Sequence, residues 1–303
     1  MTGSPPEPAV EPGRGRGVLV TGASSGLGAA TVLRLERLGF QVFAGVRRRT
    51  DADRLVVQAY ANRITPVTLD VTDPDQIRQA ADDIGRRLGP ADLWALVNNA
   101  GVSLPGPIEC LSASHLRYQY EVGVVGPLVL AQALLPMLRR SRGRIVQVTS
   151  GLGRVALPYL GAYAASQFAK EGVSDSLRRE LRPFGVAVTV VRPGAIATPI
   201  WDKMADDGKA VLAGAAPRAA VLYQGPFRRF LALNERRARR SRTRPEDFAA
   251  TVARVLTARR PRTRYTVGRD AWSAGIGARL VPVAVLDRFL SPLVRDDDTP
   301  LGQ

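Results

Sequence analysis

Three glycines close to the N-terminus have the spacing of a phosphate-binding turn. Gly22, Gly26 and Gly28 lie between an apolar run, Val18-Leu19-Val20, and a stretch from Ala29 to Leu38 that is typical of a helix. A turn of this kind lets backbone N–H groups approach a pyrophosphate, whose charge is stabilised by the positive end of the helix. Ordinary tight turns also contain glycines, but the strand before and the helix after favour a nucleotide site. The predicted phosphate-binding residues are Gly22, Ser24, Ser25, Gly26, Leu27 and Gly28.

Arg47 could select between the two nicotinamide dinucleotides. It follows a second predicted strand, Gln41 to Val46, whose last residue normally faces the adenosine ribose. An acidic side chain there would accept a hydrogen bond from the 2′-hydroxyl of NAD, whereas an arginine can pair with the 2′-phosphate of NADP(H). Arg47 therefore favours NADP(H). The alternative is a surface arginine like its neighbours Arg48 and Arg49.

Short apolar runs alternate with amphipathic stretches along most of the chain. This alternation predicts an α/β protein with one doubly wound, Rossmann-type domain, in which helices cover both faces of a parallel sheet of six or seven strands. With 303 residues, 45% of them hydrophobic, the chain can bury one large core. The predicted strands are 18–20, 41–46, 64–69, 93–97, 144–148, 186–191 and 265–268.

Composition argues against several other classes of protein. The net charge is +16, but the arginines are spread along the chain without an aromatic-interleaved basic motif, so we expect no nucleic-acid partner. Cys110 is the single cysteine, so no intramolecular disulfide can form and we expect no metal site. Residues 1–15 are predicted to be a disordered tail. The run from Val122 to Leu138 is short for a membrane span, so we expect a buried helix in a cytoplasmic protein.

Two motifs resemble those of the short-chain dehydrogenase/reductase family. They are Thr21-Gly22-x-x-x-Gly26-x-Gly28 and Asn98-Asn99-Ala100-Gly101. The resemblance covers residues 17 to about 200 and is strongest to members that act on steroids and retinoids. It implies that Asn98 braces the central sheet, while the backbone of Ala100 and Gly101 passes under the cofactor.

The same resemblance assigns both ends of the dinucleotide. It implies that Asp70 and Val71 hold the adenine, although an aspartate there would also fit the N-cap of a helix over residues 74–88. The stretch from Arg192 to Thr198 resembles the family's Pro-Gly segment, which holds the nicotinamide. The residues that it implies are Pro193, Gly194, Ile196 and Thr198.

The resemblance also supplies the catalytic pair, Ser150 and Tyr163. The Ser150 hydroxyl would hold the substrate carbonyl oxygen, and Tyr163 would pass a proton to or from it. Two positions depart from the family. Gln167 stands where a lysine would lower the tyrosine pKa, and Gly123 stands where an asparagine would hold a water.

Lys170 is the other basic residue close to this pair. On a helix it points within roughly 20° of Tyr163, although about 10 Å further along the axis. Its long side chain could lean back towards the ribose. We expect instead that it is a helix-surface lysine.

The segment after Pro199 is predicted to be irregular chain that forms a substrate lid over residues 200–244. Its aromatic and apolar side chains favour a bulky apolar small molecule as substrate. The domain is expected to span residues 16–268, and residues 269–303 to form an amphipathic helix on the lid and a tail. We expect a homodimer or homotetramer and no peripheral membrane contact.

Three functions remain open from the sequence. The first is an NADP(H)-dependent oxidoreductase with an altered proton relay. The second is an enzyme on the same scaffold whose reaction is not net redox: an isomerisation, dehydration, cyclisation or ring opening. The third is a catalytically silent nucleotide-binding partner. Retention of Ser150 and Tyr163 argues against the third, and loss of the lysine and the asparagine argues against the first.

Overall fold

A seven-stranded parallel sheet forms the centre of the molecule, with the strand order β3-β2-β1-β4-β5-β6-β7. The computed structural model describes residues 12–294. The chain reverses its direction of winding between β1 and β4, which is where open α/β sheets bind ligands. The strands are β1 Gly17–Thr21, β2 Gln41–Val46, β3 Ile64–Thr68, β4 Leu93–Asn98, β5 Arg144–Val148, β6 Ala187–Pro193 and β7 Arg264–Val267.

The strands are apolar because helices cover both faces of the sheet. Val18, Leu19 and Val20 of β1 are fully buried, as are the side chains of Val42 and Phe43 in β2. Strands buried on both faces read as continuous apolar runs and not as an alternating pattern. This is why the sequence predicts the sheet closely, and the doubly wound α/β fold with a single domain is confirmed.

Eleven α-helices occur in the part of the chain that the structure describes. One core cluster lies between the sheet and α1 and α9, and a second lies between the opposite face and α3, α5 and α6. The helices are α1 Gly26–Arg37, α2 Thr50–Val57, α3 Pro74–Leu88, α4 Ala113–Tyr120, α5 Gly126–Arg140, α6 Gly161–Leu181, α7 Ile200–Ala213, α8 Pro217–Arg239, α9 Pro245–Thr257, α10 Arg269–Leu280 and α11 Val283–Leu290.

The segment predicted to be irregular, 200–244, is mostly helical, so that expectation is wrong. Helices α7 and α8 fill it and bury an aromatic cluster in which Tyr159 contacts both Phe227 and Phe230. The sequence signal was obscured because Pro226 lies inside α8. A proline in a helix interior normally marks its end.

The two ends of the chain differ in part from the prediction. Residues 12–15 of the predicted tail form a turn, and the Gly13 N–H donates to the Leu38 carbonyl at 2.9 Å. Residues 1–11 and 295–303 lie outside the described part. Helix α11 forms within the C-terminal segment, but two of its apolar side chains, Val283 and Phe289, are exposed by 73% and 75%, while Leu286 and Leu290 are half-buried.

The apolar run 122–138 lies in a helical stretch, as predicted. A π-helical turn, Glu121–Val125, joins α4 to α5. Among the described residues, the stretch Ala113–Arg140 is the one helical segment long and apolar enough to cross a membrane. However, 56% of its most apolar window is buried inside the protein, which is typical of a core helix.

Candidate active site

The glycine-rich turn lies at the carboxyl end of β1 and leads directly into α1. Gly22 and Gly26 have positive φ angles of 64° and 54°, a conformation that side chains other than glycine rarely adopt. A Cβ atom at Gly28 would lie 2.1 Å from the Gly22 carbonyl oxygen, so this position has no room for one. The turn therefore keeps its backbone open to a ligand at the N-terminus of α1.

A second turn, after β4, is hydrogen-bonded to the first. The Thr21 hydroxyl accepts from the N–H groups of Asn99 and Ala100, at 3.1 and 2.9 Å. The Asn99 side-chain amide donates back to the Thr21 carbonyl at 2.9 Å. Sequence reasoning did not assign Thr21 or Asn99 to the site, although both stand inside the two motifs. They fix the distance between the two turns that border the cavity.

A cavity of about 340 Å³ runs along these turns and contains most of the predicted cofactor residues. Asn98 and Ser150 do not line it, nor do Gly194 and Ile196. The Asn98 side-chain amide donates to the Pro127 carbonyl at 3.1 Å, which matches a bracing role. The predicted residues that do line it are Gly22, Ser24, Ser25, Gly26, Leu27, Gly28, Arg47, Asp70, Val71, Ala100, Gly101, Tyr163, Gln167, Pro193 and Thr198.

At the end of the cavity next to β2, Arg47 is exposed and makes no ion pair within the described chain. Its neighbour Arg48 pairs with Asp51 at 3.2 Å. On the same side, the Asp70 carboxylate accepts from the N–H and the hydroxyl of Thr72. The helix N-cap considered for Asp70 is supplied by Asp73 instead, whose carboxylate accepts from the first turn of α3.

At the opposite end, the segment after β6 separates two cavities. Pro193 and Thr198 line both of them, whereas Gly194 and Ile196 line the second. The Ala195 N–H donates to the Asp270 carboxylate at 2.7 Å, and the Trp201 indole donates to the Ile196 carbonyl at 2.7 Å. Asp270 lies in the first turn of α10, so the segment after the last strand also borders the site. Sequence reasoning missed this because no local motif marks the contact.

The second cavity, of about 210 Å³, is mostly apolar and has Ser150 and Tyr163 in its wall. Tyr163 also lines the first cavity, so its side chain lies where the two meet. Several polar side chains, Asn234, Arg237 and Asp270 among them, lie on the same wall. The apolar lining comes from Leu27, Leu152, Val155, Leu157, Leu160, Ile196, Ile200, Trp201 and Met204.

Ser150 and Tyr163 are brought together, as the resemblance implied. Burial raises the pKa of Tyr163 above its usual value, and the hydrogen bond with Ser150 acts in the opposite direction. The Ser150 hydroxyl oxygen also accepts from the Leu152 N–H at 3.1 Å. The phenol is therefore protonated at neutral pH in the free protein and available as a proton donor.

Gln167 and Gly123 lie together in the wall of the first cavity. The Gln167 side-chain oxygen is buried and has no hydrogen-bond partner among the described residues, while its amide nitrogen lies 3.4 Å from the Ser166 hydroxyl. A Cβ atom at Gly123 would lie 3.3 Å from that same hydroxyl. An uncompensated buried acceptor in a cavity wall is suited to a ligand hydroxyl.

Lys170 is not a surface residue, and that expectation is wrong. Its side chain is 4% exposed and lines the first cavity, with Nζ 3.4 Å from the Asn98 carbonyl oxygen. Burial lowers the pKa of Lys170 to about 7. The helical wheel placed the residue on the correct face, but it could not show that β4 ends against this face.

A buried ion-pair network joins the helix of Tyr163 to the segment that carries Ser150. The Glu171 carboxylate accepts from Arg192, Arg264 and the Thr149 hydroxyl, and so joins α6 to three neighbouring strands. Burial acts to raise the pKa of Glu171, but the hydrogen bonds and charge of Arg192, with those of Arg264 and Thr149, outweigh it and lower the pKa. The network fixes the end of β5, where Ser150 lies, against the helix that carries Tyr163.

The first cavity fits a dinucleotide by two independent observations. Its glycine cradle would be filled by added side chains, since a Cβ at Gly22 would come within 2.9 Å of Ala100 Cα. Gln167 contributes the buried acceptor described above. Within residues 12–294, no group of three metal-ligating side chains occurs. Fold and site together define a doubly wound α/β protein whose first cavity is suited to a dinucleotide.

Comparison with known proteins places the chain in a family. The short chain dehydrogenase model matches residues 16–209. The protein is 40% identical over 276 residues to a 3-amino-tetrahydro-pyrrolizinone reductase of Xenorhabdus hominickii, covering 90% of this chain and 94% of that one. It is 37% identical over 279 residues to mouse retinol dehydrogenase 5, covering 90% and 87%. The chain belongs to the short-chain dehydrogenase/reductase family, and within it to the retinoid and steroid type.

Solved structures agree with this assignment. A short-chain dehydrogenase from Streptomyces avermitilis superposes with a TM-score of 0.73 at 30% identity, covering 94% of this chain and 98% of the other. A second, from Burkholderia cenocepacia in complex with NADP, superposes with a TM-score of 0.70 at 26% identity, covering 95% and 99%. The fold is therefore shared along nearly the whole chain.

Proposed function

We propose that the protein is an NADP(H)-dependent oxidoreductase that interconverts a carbonyl and an alcohol on a bulky apolar small molecule. One observation carries the proposal: Tyr163 lies where the glycine-lined first cavity meets the apolar second cavity, and Ser150 lies in the wall of the second. A group transferred between two bound molecules must pass through such a junction. The proton donor is already in place there.

The cofactor is proposed from the residues along the first cavity. The turn from Gly22 to Gly28 would hold the pyrophosphate at the N-terminus of α1, and Arg47 would pair with a 2′-phosphate. The Burkholderia structure with bound NADP supports the same choice. When bound, the nicotinamide donates or accepts the hydride.

The chain itself supplies binding, orientation and a proton. The Ser150 hydroxyl, oriented by the Leu152 N–H at 3.1 Å, donates a hydrogen bond to the substrate oxygen. The Tyr163 phenol gives its proton to that oxygen during reduction and takes it back during oxidation. Leu157, Ile200 and Met204 exclude water around the reacting carbon.

A bulky apolar substrate follows from the lining of the second cavity. Trp201 and Met204 of α7 line this cavity together with Leu152 and Leu160. The relatives are named for a tetrahydro-pyrrolizinone and for retinol, which supports ring-containing or terpenoid-sized substrates. We place the enzyme in the cytoplasm as a homodimer or homotetramer.

The test is incubation of the purified protein with NADPH and a panel of bulky ketones, following cofactor absorbance and product mass together. Loss of absorbance with formation of the alcohol supports the proposal. Tyr163→Phe should abolish both signals. Tyr118 also lines the first cavity, so Tyr118→Phe controls for the loss of a tyrosine hydroxyl beside the cofactor. Absence of both signals across the panel would contradict the proposal.

A second candidate is a reaction that is not net redox, favoured by the neutral Gln167 beside Tyr163. Tyr163 and Ser150 would then act only as a proton donor and a hydrogen-bond donor. The same assay separates the two reactions. Formation of product at constant cofactor absorbance would favour this candidate.

A further inference from the structure

Lysine is rare in this protein, which makes the buried one informative. Of 43 basic residues only three are lysines: Lys170, Lys203 and Lys209. Lys203 and Lys209 are exposed on α7, and Lys209 pairs with Asp206. Lys170, in contrast, is 4% exposed in the wall of the cofactor cavity. Arginine cannot lose its proton in a protein, so a lysine is the basic residue that can be buried without its charge.

The side chain of Lys170 ends at the carboxyl end of β4, in the wall of the cavity that Tyr163 also lines. Long helical side chains lean towards the helix N-terminus, which for α6 is the end that carries Tyr163. Lys170 lies one turn after Gln167, and its Nζ donates to the Asn98 carbonyl at 3.4 Å, where β4 ends at the cavity. Lys170 thus lines the same cavity as Gln167 and Gly123.

The space around this group depends on both departures from the family pattern. Gly123 has no side chain, and the π-helical turn that contains it packs against Ser166 of α6. Gln167 donates to the Ser166 hydroxyl through its amide nitrogen and carries no charge. Gly123 and Gln167, which replace the asparagine and lysine expected there, thus line the same cavity as Lys170.

Lys170 has no carboxylate partner within the described part of the chain. Glu171, its neighbour, is paired with Arg192 and Arg264. The other titratable groups that line the cavity are Tyr163, on the same helix, and Arg47, Asp51, Asp70, Tyr118 and Lys203. An ammonium buried without a counter-ion is costly, so the site is suited to an anionic ligand.

We propose that Lys170 supplies, from one helical turn further along, the positive charge that this active site lacks at position 167. It acts through Tyr163 and is therefore a positioning residue: its ammonium favours the tyrosinate and helps to orient the nicotinamide ribose, for which Gln167 offers the uncharged acceptor. The inference rests on the proposed function, because it needs a dinucleotide in the cavity.

A consequence is that cofactor binding takes up a proton near neutral pH. Burial lowers the pKa of Lys170 to about 7, so the free protein is partly uncharged at this position. The phosphates of the cofactor add negative charge to the same cavity, and the nicotinamide of NADPH is uncharged, so binding of NADPH favours the ammonium. An opposite charge within about 4–6 Å raises the pKa of a lysine by about one to three units, and the more distant phosphates act at the lower end of this range.

Lysine-selective NMR measures this directly. In protein labelled with ¹³C at lysine Cε, the three lysines give three signals, assigned with Lys203→Arg and Lys209→Arg. Without cofactor, the Lys170 signal should titrate near neutral pH. Saturating NADPH should raise the Lys170 midpoint by about one unit.

Kinetics with matched variants supplies the second readout. Lys170→Met should shift the pH profile for alcohol oxidation to higher pH by about one unit or more and lower kcat more than it raises KM. Lys170→Arg should restore part of the rate, and Lys209→Met should behave as the wild type.

The outcomes separate the inference from the proposed function. If NADPH binds and ketones are reduced, but the Lys170 midpoint and the profile of Lys170→Met do not move, the inference is wrong and the proposed function stands. If NADPH shifts no lysine signal and no cofactor is consumed, both are wrong. Circular dichroism and NADP⁺ titration of Lys170→Met show whether an activity loss comes from unfolding, in which case the NMR midpoint decides.

Discussion

The Glu171 carboxylate accepts two hydrogen bonds from the Arg192 guanidinium, of 2.6 and 2.7 Å, and both side chains are buried. Because Glu171 is on α6 and Arg192 on β6, this pair connects the helix of Tyr163 to the strand that leads to Thr198. The Thr149 hydroxyl, next to Ser150, donates to the same carboxylate at 3.1 Å. The geometry of the catalytic pair therefore depends on a group that contacts neither substrate nor cofactor.

Removing this carboxylate should destabilise the whole protein. Glu171→Gln leaves the buried Arg192 without its counter-ion, which costs about 3–5 kcal/mol in the free energy of unfolding. Glu180→Gln, on the exposed end of the same helix, should change it by less than about 1 kcal/mol. Urea unfolding of both variants measures the difference, and equal stabilities would contradict a structural role for the network.

The same pair gives a pH dependence with a defined sign. The pKa of Glu171 is lowered in the folded protein, so its contribution is complete above the unfolded value of about 4.3 and is lost as the pH falls through the lowered pKa. The stability gap between wild type and Glu171→Gln should therefore be constant near neutral pH and narrow below about pH 4. A stability difference that grows as the pH falls would contradict a lowered pKa of Glu171.

Arg47 should determine the preference for NADPH over NADH. It is exposed at the rim of the cofactor cavity, and a charge-assisted contact with the 2′-phosphate contributes about 1.5–3 kcal/mol. Arg47→Ala should therefore weaken NADPH binding by about 10- to 100-fold and leave NADH almost unchanged. Fluorescence titration with both cofactors tests this, with Arg49→Ala as control because Arg49 does not line the cavity. Equal affinities in the wild type would refute the assignment.

The sequence predicted the sheet and the glycine-rich turn because both depend on local patterns. Val18-Leu19-Val20 reads as a buried strand, and Gly22 and Gly28 occupy positions where backbone conformation and spacing require glycine. The burial of Lys170 could not be predicted, since it depends on where β4 ends relative to α6. The contact between Asp270 and Ala195 joins residues 75 positions apart, and no local pattern indicates it.

The free protein should become more stable between about pH 7 and pH 10 because of Lys170. In this range the unfolded chain binds a proton at Lys170, whose unfolded pKa is about 10.4, and the folded chain, with a pKa of about 7, does not. Each unit of difference between the unfolded and the folded pKa changes the free energy of unfolding by about 1.4 kcal/mol. Stability of the wild type relative to Lys170→Met, measured by urea unfolding without cofactor, should rise across this range. A flat difference would show that Lys170 is ionised and solvated in the fold.

The pH dependence of the reduction and oxidation rates should follow from Tyr163. Burial raises the pKa of this phenol, so at pH 7 it is protonated and can donate its proton in ketone reduction. Alcohol oxidation needs the tyrosinate and should keep increasing well above neutral pH. Tyr163→Phe should lose about 10²- to 10⁴-fold in both directions, without loss of cofactor binding. Oxidation that is already maximal at pH 7 would contradict the protonated phenol.

Exchanging the charge between positions 167 and 170 should separate an altered relay from a decayed one. Gln167→Lys alone places a second ammonium beside Lys170 in the same cavity wall, and like charges close together lower each other's pKa, so we expect little gain in oxidation. In Gln167→Lys combined with Lys170→Met, the single charge lies four residues after Tyr163, on the same helix face. This double variant should recover most of the oxidation rate that Lys170→Met loses.

Gly123→Asn should be added last, because its Cβ would lie 3.3 Å from the Ser166 hydroxyl and that side chain must move. If the double variant is no faster than Lys170→Met, the charge at position 170 is not what supports Tyr163, and the neutral Gln167 belongs to chemistry that does not use a tyrosinate.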